Sequence, residues 1–138
     1  MRYESDCMEE KAVLQTAAKM CAAARTAPKA HGKDTVHTLV LTGEEKEDLA
    51  RKMEEIGTAE LGGSMASWYG RDAANLRAAQ AVVLIGTEQK QRGVPHCGYC
   101  GFHTCADCKT SGGTCAYAYI DLGIAVSSAV SVAAMDMV

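Results

Sequence analysis

Five of the seven cysteines in this sequence crowd between Cys97 and Cys115, with the spacing C-x2-C-x4-C-x2-C-x6-C. Thiolates are the soft ligands that iron in sulfide clusters prefers, and a four-iron cluster takes four of them. Ligands so close in sequence let one loop wrap a cluster and turn backbone N–H groups toward its sulfurs. Gly98 and Gly101 suit such a loop, because wrapping calls for positive φ or close backbone approach. Phe102 is placed to shield the cluster from water, and burial of that kind tunes the reduction potential. Cys97, Cys100 and Cys105 are the first three ligands on this reading. Cys115 is the preferred fourth, and Cys108 is its competitor. A variant set, Cys100-x4-Cys105-x2-Cys108, reproduces plant-type two-iron spacing, whose fourth ligand normally lies much farther along the chain.

Two other chemistries suit cysteine pairs. A structural zinc site accepts two CxxC units, but zinc ribbons usually separate them by roughly fifteen to twenty residues, and here four intervene. A thioredoxin-like CxxC needs no crowd of neighbouring thiols. His96 and His103 read as solvent-facing loop residues rather than ligands. Cys7 and Cys21 stand apart and read as helix residues, since a free cysteine packs like a small hydrophobe.

The elements that must position this loop are legible from pattern. At 138 residues the chain is long enough for a single domain over 1–138, with 94–116 as its cysteine-rich loop. Apolar residues make up 48% and aromatics only 5%, so alanine-lined helices that approach closely are expected. The net charge of −3 and the lack of a basic run argue against a nucleic-acid partner. A charged N-terminus without an apolar stretch points to a cytoplasmic protein, where thiols stay reduced. Ser5 or Asp6 caps a first helix whose apolar face is Val13, Ala17, Met20 and Ala24, ending before Pro28. Thr35 to Thr42 reads as a strand. Glu44 to about Leu61 reads as a helix with Leu49, Met53 and Ile56 on one face, broken by Gly62-Gly63. Arg71 to Gln80 predicts a short helix, and Ala81 to Gly86 a strand covered on both faces. Thr87 to Pro95 is a polar loop. Ala116 to Val138 is a helix with only Asp121 and Asp136 charged. Serines dilute its hydrophobicity and no basic flank follows, so burial in a protein or homodimer is expected rather than a membrane span.

With these residues in view, the chain resembles a bacterial and archaeal family of ferredoxin-domain-containing proteins of unknown function. The resemblance runs through Ala23 to Gly32, Ala81 to Gly86, Cys97 to Cys105, and Cys115 into Asp121-Leu122-Gly123-Ile124-Ala125. The CGxCGFxxC pattern is its most specific part, and is similar to cluster loops of corrinoid iron–sulfur proteins and of the B subunit of ion-pumping electron-transport complexes. In that family a cysteine preceding the DLGIA helix completes the ligand set, which favours Cys115. A weaker likeness to flavin-dependent nitroreductases implies an α/β or α+β fold with a small mixed sheet flanked by helices. It also implies that Arg25, Lys29 and His31 face an FMN phosphate, and that the last helix forms a dimer centre. Family members continue past that helix, so a flavin pocket built with the further part would be incomplete here. The expected function is low-potential electron transfer by a 4Fe–4S cluster, exchanging electrons with a redox partner protein or flavin in an oxidoreductase. The competing expectations are a zinc-stabilised interaction module and a cluster-based sensor.

Overall fold

The computed structural model describes residues 1–61 and 63–138, with side chains described outside 60–66. Helix α1 (Ser5–Thr26) is followed by strand β1 (Val36–Leu41), helices α2 (Gly43–Ile56) and α3 (Gly63–Ala78), strand β2 (Val82–Thr87), and helices α4 (Cys105–Thr110) and α5 (Ala116–Asp136). The fold is thus mixed helix and strand. The expected mixed sheet is a two-stranded antiparallel pair, β1 against β2. Its register places Thr35 beside Thr87: the Glu88 N–H donates to the Thr35 carbonyl at 3.0 Å, and the two threonine hydroxyls are 3.0 Å apart. β2 is covered less than the sequence predicts, with Leu84 exposed, because a two-stranded antiparallel pair can leave one face to solvent.

The chain forms two compact units. One comprises Met1–Ala17 and Val40–Leu84. There α2 starts at Gly43, whose φ of +52° lies in the left-handed region, with Glu44 and Glu45 at its positive end. Leu49, Met53 and Ile56 are half-buried on the expected face, around a fully buried Ala50. α2 gives way at Gly57 to a π-helical turn (Gly57–Leu61), and the break read at Gly62 lies outside the described residues. α3 pairs with α2 through polar contacts. Arg77 reaches both carboxylate oxygens of Glu47 at 2.9 Å and those of Glu54 at 2.6 and 2.9 Å. Lys46 donates to the carbonyls of Arg77 and Ala79, satisfying acceptors that the end of a helix leaves open.

The second unit comprises Ala18–Leu39 and Ile85–Val138. Its core is built largely of alanine: Ala24 and Ala27 meet Val36, Ala125 and Ala129, with Met20 and Ile85 packed against them. Side chains this small let the α1 and α5 backbones come close. α1 stops where Pro28 requires, and Lys29 Nζ donates to the carbonyls of Ala24, Arg25 and Ala27 at 3.4, 2.6 and 2.9 Å. A 3₁₀ turn (Ala30–Gly32) with positive φ at His31 and Gly32 then leads toward β1. α5 buries only Ala118, Asp121, Ala125 and Ala129. By length and composition alone it is long and apolar enough to cross a membrane.

Candidate metal centre

The cysteine loop belongs wholly to the second unit and is anchored just before it begins. Arg92 and Asp121 form a fully buried ion pair, Nε to Oδ2 at 2.7 Å, with side chains 1% and 2% exposed. Arg92 also donates to the Lys90 carbonyl at 2.8 Å and the Thr87 hydroxyl at 3.3 Å. The other Asp121 oxygen accepts the Ala30 N–H at 2.9 Å, and His31 Nδ1 donates to the Arg92 carbonyl at 3.0 Å. One buried charge pair therefore ties the 30–32 turn, the end of β2 and α5 to the entry of the loop. Each polar group has a partner, which is the condition for burying such a pair at tolerable cost.

From there the chain turns twice through glycine. Gly98 and Gly101 have φ of +60° and +81°, and the Gly101 N–H donates to the Gly98 carbonyl at 2.9 Å. This tight turn presents Cys97 and Cys100, while Tyr99 at its tip meets Tyr117 of α5 with ring centroids 5.9 Å apart. The sequence gives this stretch as loop, but the structure folds part of it into α4. Thr104 and Asp107 form a reciprocal capping box, with both hydrogen bonds at 3.1 Å. Cys105 and Cys108 fall three residues apart on α4 and so share a face. Gly113 closes the helix by donating to the Cys108 carbonyl at 2.7 Å, and Cys115 is the N-cap of α5.

Cys97, Cys100 and Cys105 line one cleft of about 310 Å³, together with Phe102 and the exposed His96 and His103. Cys108 and Cys115 are buried instead, 0% and 6% exposed. Cys100 and Cys115 lie close enough to Cys108 to influence its thiol. Burial pushes the Cys108 thiol pKa up and a hydrogen bond from Gln91 opposes this, while Cys100 and Cys115 add to the rise. Cys100 thus links the cleft-lining thiols to the buried ones. Among the described residues, no three His, Cys, Asp or Glu side chains gather as a group that could hold a metal ion. The donor chemistry between residues 97 and 115 is nevertheless dominated by sulfur. In that range Asp107 is committed to the capping box and His103 is exposed. Such a set fits a thiophilic centre. Cys105 also borders a second groove of about 760 Å³, with Lys90, Gln91 and Lys109.

Cys7 and Cys21 lie on α1, outside this group. The cations expected at a flavin phosphate are engaged within the fold. Arg25 bonds the Val36 carbonyl at 2.8 Å and Asp34 at 2.6 Å, Lys29 caps α1, and His31 holds the Arg92 carbonyl. Sequence reading missed Gln91 and Arg92, which sit in a stretch whose polar composition suggests only a loop. It missed α4 too, although Thr104-x-x-Asp107 follows the capping pattern.

The chain is similar to an uncharacterized protein of Archaeoglobus fulgidus, with 41% identity over 124 residues. The match takes in 84% of this chain and 65% of the relative, so the chain spans about two-thirds of that relative's length. No family model matches the chain. No solved structure matches it.

Proposed function

We propose that this protein carries electrons on an iron–sulfur cluster, of the 4Fe–4S type, held by Cys97, Cys100, Cys105 and a fourth thiol from Cys115 or Cys108. The observation that carries the proposal is that three thiols from a glycine-turned loop line one cleft, while the buried Cys108 and Cys115 follow in the same segment and Cys108 is close enough to Cys100 for the two thiols to influence each other. Bound there, a cluster would accept and release single electrons at a potential set by its charge, its hydrogen bonds and its exposure. The residues supply the rest. Gly98 and Gly101 bend the backbone, Thr104 and Asp107 fix the helix that bears Cys105, and Phe102 covers the cleft wall. Because Cys105 borders both the cleft and the lysine-rimmed groove, that groove is the natural side for a redox partner to approach. A flavin-linked oxidoreductase is one setting for such a carrier, though Arg25, Lys29 and His31 already have partners in the fold.

Anaerobic reconstitution with iron and sulfide tests the proposal. About four irons per chain, brown absorbance that bleaches with dithionite, and an electron paramagnetic resonance signal in the reduced protein are expected. A colourless protein that holds one zinc, or one that takes up no iron, would sink it in favour of a zinc-stabilised module.

A further inference from the structure

Gln91 lies in the polar segment after β2, where sequence offers no reason to single it out. Its side-chain nitrogen lies 3.8 Å from the Cys108 sulfur and 3.4 Å from the Gly113 carbonyl. That amide nitrogen therefore has two acceptors within the cysteine loop. We infer that Cys108, rather than Cys115, is the fourth cluster ligand, and that Gln91 is the positioning residue whose N–H bonds to its sulfur and raises the potential. The inference rests on the cluster reading above and deepens it.

A neutral thiol is a weak acceptor, whereas an ionised donor or acceptor roughly doubles the strength of a hydrogen bond. An amide N–H aimed at a sulfur is most useful when that sulfur is a coordinated thiolate. Cys108 is fully buried, so water cannot take the amide's place. It stands three residues after Cys105 on α4 and shares its helix face, and Cys105 lines the cleft together with Cys100. Its carbonyl is fixed by the Gly113 N–H, and Gly113 also takes the second Gln91 contact. Cys108 is thereby held at its backbone by Gly113 and at its side chain by Gln91. Family resemblance favours Cys115, but these contacts point to Cys108. Hydrogen bonds to cluster sulfurs stabilise the more negative, reduced state, so loss of this one lowers the potential.

The test uses the full chain, reconstituted anaerobically, with Cys108→Ala, Cys115→Ala and Gln91→Leu beside the wild type. Iron per chain, the paramagnetic resonance signal and the midpoint potential are read for each. Cys115→Ala is expected to load and to keep the wild-type signal, and Cys108→Ala to lose most of its iron. Removing a fully buried thiol can unsettle the loop, so Gln91→Leu tests the idea with all five thiols in place. It should hold iron, release it to a chelator roughly 10-fold more readily, and show a more negative potential. Full loading of Cys108→Ala, loss of iron from Cys115→Ala, or an unchanged potential in Gln91→Leu overturns the assignment. A wild type that takes up no iron instead defeats the cluster reading itself, so the two failures are distinct.

Discussion

Gly113 occupies a point in the loop where nothing larger fits. A Cβ there would stand 2.5 and 2.9 Å from atoms of the Phe102 ring and 3.1 Å from the Cys108 carbonyl. The ring can rotate away more easily than the backbone can, so Gly113→Ala should push Phe102 out of the cleft lining. Overpacking of this kind typically costs about 1–3 kcal/mol. The expected outcome is a loss of that size in urea unfolding, part of which Phe102→Leu restores when the two changes are combined. Arg92 and Asp121 make a sharper case. Replacing one partner leaves the other charged, buried and unpaired, so Asp121→Leu should destabilise by about 3–5 kcal/mol. The combined Arg92→Leu/Asp121→Leu chain should lose less than the sum of the single changes, because no lone charge then remains. A double-mutant cycle in urea measures this directly, and full additivity would mean that the pair does not act as a unit.

At the scale of elements, α2 and α3 are held by Arg77 between Glu47 and Glu54. The Arg77 hydrogen bond holds the Glu54 carboxyl below the ordinary carboxylate value, against some desolvation, and the Arg77 charge adds to the effect. A lowered folded-state pKa means that the unfolded chain takes up its proton first as the pH falls. The stabilisation is therefore complete above the ordinary value of 4.5 and disappears as the pH drops through the lower folded value. Arg77→Met should flatten that acid-side decline in the urea midpoint while leaving the neutral-to-alkaline region parallel to wild type. Much of this architecture was legible beforehand. Val13, Ala17, Met20 and Ala24 do turn inward from α1, and β1 falls within the Thr35–Thr42 run. α3 begins earlier than Arg71 because residues 63–70 lack charge periodicity and contain two glycines, so local propensity understates a helix that packing against α2 stabilises. α4 is hidden for the opposite reason: the cysteine spacing reads as a ligand loop and masks the capping box at Thr104 and Asp107. Gln91 and Arg92 were beyond reach, since their roles depend on partners far along the chain.

At the scale of the molecule, α5 presents two opposed faces. Ala118, Asp121, Ala125 and Ala129 are buried on one, while Ile120, Gly123, Ile124, Ser127, Val130 and Ser131 lie exposed on the other. Helical spacing places these six together, with small residues at Gly123, Ser127 and Ser131 flanked by branched apolar side chains. Exposed apolar surface on this scale tends to mark an interaction site. A like helix suits it, because small residues let two backbones approach while the isoleucines and Val130 pack at the sides. The Ser131 hydroxyl on this face donates to the Ser128 carbonyl at 3.0 Å, so it is satisfied before any contact forms. Self-association through this face is therefore expected, giving twice the 14.6 kDa chain mass in sedimentation equilibrium. Ile124→Glu would bury an unpaired carboxylate at the centre of that contact, at a cost on the order of several kcal/mol, and should yield monomer with helix content unchanged. If the wild type already sediments as monomer and instead floats with lipid vesicles, α5 covers its apolar face with lipid and the second copy is excluded.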